Sequence, residues 1–132
     1  AACQSNSGSA STNNVQERLD NKEILYFSNG KRLYNQYCAN CHMENGEGLG
    51  TLIPPLNQAD YLLNNVLGAA KIIAYGQEGA IVVNGTDYNQ PMPGYKNLNA
   101  NEIAELLTYI SNAWDNKHGP VEIDAVKEVL KK

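Results

Sequence analysis

The first fourteen residues, AACQSNSGSASTNN, show no apolar periodicity and are rich in Ser and Asn. Such a stretch cannot bury enough apolar surface to fold, so it reads as a flexible leader, and we draw the tether as residues 1–20. One domain is then expected over 21–132. Leu25, Leu33, Tyr34, Tyr37 and Cys38 recur at helix-like intervals. Gly30 interrupts that rhythm, which predicts a helix starting only after Ser28 or Asn29, either of which can cap it. HMENGEGLGTLIPPL, from His42, is a loop, its Gly and Pro residues allowing tight turns. Between Tyr61 and Tyr75 the apolar positions predict two short helices meeting near Gly68. Residues 79–85 are ambiguous: Ile81-Val82-Val83 favours a strand, while Gly85 also suits a helix end. A second loop spans 86–98. Asn99 caps the next helix with Glu102 at capping-box spacing, and Ile103, Leu106, Leu107, Ile110 and Trp114 form its apolar stripe. Lys117-His118-Gly119-Pro120 breaks it, and a short helix over 121–132 follows. No run alternates long enough for a sheet, so the fold class is all-α.

Composition narrows the picture. Apolar residues make up 42% of the 132, with one Phe, one Trp and eight Tyr. A core this poor in Phe gains from a large flat apolar cofactor at its centre. The formal charge of −4 argues against nucleic acid, whose phosphates require a basic footprint. No stretch approaches the roughly 20 apolar residues that cross a bilayer, so no transmembrane helix is expected and the domain is read as soluble. Three cysteines, one near the start and two close together, do not make a disulfide framework.

Cys38-Ala39-Asn40-Cys41-His42 carries the chemistry. C-x-x-C-H is the pattern of covalent haem attachment. Two thiols three residues apart lie on one side of a helical turn, where each adds across one vinyl group of the porphyrin. The imidazole of the next residue then lies beneath the ring, in reach of iron. Two other readings compete. A redox dithiol normally follows a strand in an α/β domain. A structural zinc site needs four ligands, and these three residues are adjacent, with His118 as the only other histidine. For a second axial ligand, Met43 follows the proximal histidine too closely to reach the other ring face. Met92, between Pro91 and Pro93, sits in a loop the prolines stiffen and is the preferred candidate. The bland alternative is a Met92 that merely packs, and the rival ligand is His118.

With these residues the chain resembles the class I c-type cytochromes, from about Gly30 to Trp114. Gly30 to Tyr34 ahead of Cys38–His42 looks like the family's first helix. Ile81 to Gly85, then Met92-Pro93-Gly94-Tyr95, then Leu98, Glu102, Ile103, Leu106 and Tyr109, look like its run into the distal methionine and final helix. The resemblance implies a small all-α domain wrapped around one covalent haem c, with the final helix crossing the first near Gly30 and Tyr34. It also implies that a carbonyl of Pro54-Pro55 accepts a hydrogen bond from His42 Nδ1–H, without saying which proline. Tyrosines are candidates for propionate bonds or haem packing, and Trp114 for a core position. The segment from Ser111 to Val121 is similar to a bacterial subset that includes subunits of terminal oxidases, dehydrogenases and nitrite reductases. Redox partners of that kind are expected.

Ala1-Ala2-Cys3 resembles the end of a bacterial lipoprotein signal, which makes Cys3 a lipidation candidate, against the reading of an incidental thiol. The resemblance implies, for haem attachment of this type, a location in the bacterial periplasm or at an extracytoplasmic membrane surface. The expected function is therefore electron transfer, cycling Fe(III)/Fe(II) without bond chemistry on a substrate. The alternatives are a fixed subunit of a larger oxidoreductase, and a haem sensor or enzyme with Met92 off the iron.

Overall fold

The computed structural model describes residues 14–131. Cys3 and the tether as far as residue 13 lie outside the described residues. The remainder of the expected tether is folded: α1 (Val15–Arg18) ends at an extended, buried Leu19. The Arg18 guanidinium donates to Asn112 Oδ1 at 3.1 Å, drawing this first turn onto a segment ninety-four residues later.

Helix α2 (Asn21–Tyr37) begins well before Ser28. Asp20 caps it: Glu23 N–H donates to Asp20 Oδ1 at 2.8 Å, and Asp20 N–H donates back to Glu23 Oε1 at 3.0 Å. Two of the orphan amides of the first turn are thereby satisfied. Gly30 stays inside the helix, despite a cost of about 1 kcal/mol against Ala, because another helix passes over it. A Cβ there would strike the Glu105 carbonyl and lie 2.7 Å from Tyr109 Cβ.

That other helix is α6 (Ala100–Ile110), with Asn99 and Glu102 in a second reciprocal capping box. It is buried all round from Ile103 to Ile110 rather than along one stripe. Its single buried acid, Glu105, accepts from Asn29 Nδ2 of α2 at 2.8 Å. The helix stops before Trp114, which turns with a left-handed φ of 57°. Buried amides intervene: Asn112 Nδ2 takes the Thr108 carbonyl at 2.9 Å and Asn116 Nδ2 the Ile110 carbonyl at 2.8 Å. These carbonyls belong to the last turn, which has no continuing helix to bond.

Around this crossed pair lie α3 (Ala39–His42), α4 (Asp60–Leu63), α5 (Ala69–Tyr75) and α7 (Ile123–Leu130). Two short helices do occupy the stretch between Tyr61 and Tyr75, but they do not meet at Gly68. Helix α4 ends at Leu63 and a turn over 64–68 leads to Gly68, which only caps α5, with Asn65 Oδ1 accepting from Gly68 N–H at 3.1 Å. The ambiguous 79–85 segment proves to be half of an antiparallel hairpin. Strand β1 (Ile81–Val83) pairs with β2 (Thr86–Tyr88), in a stretch where the sequence pattern predicts only a loop. Asn84 and Gly85 have φ of 52° and 82°, the two positive values of a tight two-residue hairpin turn. The fold remains predominantly helical, with Leu33, Tyr34, Ile103, Leu106 and Leu107 at its centre.

Candidate functional site

Cys38 ends α2 and opens α3, its N–H donating to the Tyr34 carbonyl at 2.8 Å. His42 N–H donates in turn to the Cys38 carbonyl at 2.9 Å, so the C-x-x-C-H segment is wound into one helical turn. Cys38, Cys41 and His42 all line a cavity of about 840 Å³, within the range of cofactor sites, about 300–1,000 Å³. Its remaining walls are mainly apolar: Leu56 and Leu62, Ile73 of α5, Val83 of the hairpin, Ile110 of α6 and Val129 of α7.

Pro54, Pro55 and Met92 line the same cavity, as do Pro91 and Pro93. Met43 does not. It turns away at a φ of 70° and borders a separate shallow recess with Glu44 and Asn45. His118 is exposed on the segment after α6, its Nδ1 3.3 Å from the Gly119 carbonyl, and takes no part in the cavity. Of the eight tyrosines, Tyr61 and Tyr88 line it. Tyr34 and Tyr109 instead pack edge-to-face with Trp114, at 5.4 and 5.6 Å between ring centres.

His42 is buried, and its Nδ1 lies 3.0 Å from the Pro54 carbonyl. A carbonyl only accepts, so the proton sits on Nδ1 and Nε2 carries the lone pair a metal needs. Burial lowers the pKa of His42, with the Pro54 bond opposing, and so favours this neutral form. Burial, and then the neighbouring Cys41, push the Cys38 thiol up to about 12. That is the reverse of the depressed thiol a redox dithiol uses. Among the described residues no group of three or more His, Cys, Asp and Glu side chains is placed to hold a metal ion. An apolar cavity with two thiols and one neutral imidazole at its wall suits a large flat porphyrin.

Sequence reasoning missed the residues that place the Pro54 carbonyl. Gly48, at a φ of 72°, donates its N–H to the His42 carbonyl at 3.0 Å. A Cβ at Gly48 would run into the Ile53 oxygen and lie 2.6 Å from the Pro54 oxygen. Gly46 O accepts from Leu56 N–H at 2.7 Å and Asn57 N–H at 3.0 Å, closing the loop on itself. Asn116 Nδ2 donates to Leu56 O at 3.0 Å, and its Oδ1 accepts from Gln58 N–H at 2.7 Å. The run of glycines signals tight turns, but nothing in the sequence ties Asn116 to a loop sixty residues earlier.

Residues 27–114 match the family model described as Cytochrome c. A cytochrome c-552 of Thermus thermophilus is 36% identical over 93 residues, covering 66% of this chain and 69% of that protein. A cytochrome c-552 from a named strain of Thermus thermophilus has the same identity, with 61% of its length covered. The cytochrome c subunit of a quinone alcohol dehydrogenase from Gluconacetobacter polyoxogenes is 33% identical over 91 residues, 67% of this chain but 19% of that subunit. Family match, helical fold and cavity agree: the chain belongs to the cytochrome c family, electron carriers that hold haem c covalently.

Proposed function

We propose that Cys38 and Cys41 bind the haem as thioethers, that His42 Nε2 and the Met92 sulfur are its two axial ligands, and that the protein is a carrier with no substrate chemistry of its own. When bound, the haem supplies the one-electron Fe(III)/Fe(II) couple. The carrying observation is that Cys38, Cys41, His42 and Met92 line one cavity, while Met43 and His118 do not. Pro54 holds the Nδ1 proton, which orients the His42 ring and raises its donor strength. The Met92 thioether favours a higher potential and closes the iron to outside ligands. The apolar walls exclude water.

The test is carbon monoxide. The reduced protein, shown to hold covalent haem by its alkaline pyridine spectrum, is expected not to bind carbon monoxide until denatured. Binding to the native protein would move Met92 off the iron and favour a sensor or enzyme. His118, exposed and away from the cavity, is the weaker ligand candidate.

The domain proper is proposed to run through residue 132, behind a polar tether anchored by lipid on Cys3, in the bacterial periplasm or at an extracytoplasmic membrane surface. Ala1-Ala2-Cys3 and the Ser/Asn-rich stretch after it support this. Mass spectrometry of membrane-extracted protein tests it, and an unmodified Cys3 would end it. The partners are proposed to be respiratory redox proteins such as an oxidase, reductase or dehydrogenase. Similarity to a dehydrogenase cytochrome subunit favours a second reading, a fixed subunit of a larger complex, which co-purification from membranes distinguishes.

A further inference from the structure

Resting on the Met92 ligation proposed above, we infer that Tyr95 is a positioning residue for the distal ligand: its hydroxyl ties the Met92 loop to the end of the helix that carries Cys38. One flank of the loop is held by backbone. Met92 N–H donates to Gln77 O and Gln77 N–H donates to Met92 O, both at 2.9 Å, and Tyr95 N–H donates to Ile73 O at 2.8 Å. Two glycines permit this approach: a Cβ at Gly76 would lie 2.6 Å from Met92 O, and one at Gly94 would run into the backbone around Tyr75 and Gly76. All of these contacts fasten the loop to α5 and the turn after it.

The other flank depends on Tyr95. Its hydroxyl donates to the Tyr37 carbonyl at 3.1 Å, and its ring packs tilted on that of Tyr37 at 5.3 Å. Asn97 Nδ2 adds a bond to the Tyr37 hydroxyl at 3.2 Å. Tyr37 is the last residue of α2, so its carbonyl belongs to the turn that lacks helical partners. Cys38 follows it directly. Tyr95 thus joins the segment bearing one proposed ligand to the segment bearing the covalent attachment, fifty-eight residues apart in sequence.

An outside base reaches the iron on the Met92 side only when this loop swings away. Its observed affinity is the intrinsic affinity multiplied by the open fraction. Tyr95→Phe keeps the ring on Tyr37 and removes one hydrogen bond from the closed form. The open fraction should rise about three- to tenfold, the worth of one such bond.

The experiment titrates imidazole into the oxidised holoprotein at neutral pH and follows the visible spectrum. Tyr26→Phe is the control, because it removes a comparable bond, Tyr26 Oη to Asn101 Oδ1 at 3.2 Å, between α2 and the first turn of α6. Tyr95→Phe should bind imidazole about three- to tenfold more tightly while Tyr26→Phe matches the unmodified protein. Equal affinity in all three, or an equal rise in both variants, would overturn the positioning role. An unmodified protein whose methionine signals show no contact with haem would instead fail the ligation reading itself, a distinct result that removes the basis of this inference.

Discussion

Between His42 and Gln58 the chain closes on itself through backbone bonds, and side chains that arrive from elsewhere fasten it to the rest of the molecule. The Tyr34 hydroxyl donates to the Met43 carbonyl at 2.6 Å, Trp114 Nε1 to the Glu44 carbonyl at 2.9 Å, and Asn116 to the Leu56 carbonyl at 3.0 Å. Around Met92 the fastening is mostly backbone to backbone, through Gln77 and Ile73, with glycines where the strands of chain nearly touch. The two arrangements suit two tasks. On the proposed ligation, a covalently attached ligand segment needs only its orientation set, and a few buried polar side chains do that. A thioether with no covalent bond to the haem must be held in place by the loop that carries it. The first region should therefore respond to loss of single side chains, and the second to anything that lets its backbone open.

The largest effect is expected at Asn116, which is 1% exposed and serves Leu56 O, Ile110 O and Gln58 N–H at once. Asn116→Ala strands these groups in a buried setting and should cost about 3 kcal/mol, read as a lowered urea midpoint of the holoprotein. Imidazole affinity on the Met92 side should change far less than it does in Tyr95→Phe. If it changes as much, the two regions are not separable.

Gly48→Ala is a sharper probe of the same loop. The new methyl would run into the Ile53 oxygen and press on the Pro54 oxygen, loosening the His42 Nδ1 bond and, on the proposed ligation, weakening the imidazole as a donor to Fe(III). The potential should rise by roughly 20–60 mV, where about 59 mV corresponds to a tenfold bias for one electron. Protein-film voltammetry measures it, and an unchanged potential would mean that the Pro54 carbonyl does not tune the site.

What the sequence reveals and what it hides divide along the same line, local against distant. The C-x-x-C-H motif is local, and the role proposed for it is written in five consecutive residues. The capping box at Asn99 and Glu102 is local too, and the structure has it where the spacing predicts. The matching box at Asp20 and Glu23 is equally local but is masked by Gly30, whose helix-breaking tendency counts for little once α6 crosses over it. The Asn84-Gly85 hairpin is open to the same local reading, yet its strands are too short to show alternation. Contacts such as Asn116 to Leu56, or Tyr95 to Tyr37, exist only because the chain returns to itself, and no pattern of residue types announces them.

The smallest effect concerns the aromatic cluster that backs the proximal loop. Burial, and then the charge of Glu44, push the Tyr109 phenol up to about 12. A raised phenol pKa contributes stability that is whole below the unfolded value near 10 and declines as pH rises toward the folded one. Thermal unfolding should therefore move to lower temperature between about pH 10 and pH 12. Tyr109→Phe should flatten part of that slope, with the buried Tyr34, whose pKa burial also raises, accounting for more. A slope identical in Tyr109→Phe would assign the alkaline loss to other groups.

The most direct measurement is the proton NMR spectrum of the reduced, diamagnetic holoprotein. A methionine bound axially places its methyl over the porphyrin, where the ring current shifts it far upfield of any ordinary methyl. The account predicts one such three-proton resonance, lost in Met92→Ala and retained in Met43→Leu. Both methionine methyls at ordinary positions in the unmodified protein, or an upfield signal that survives Met92→Ala, would contradict it.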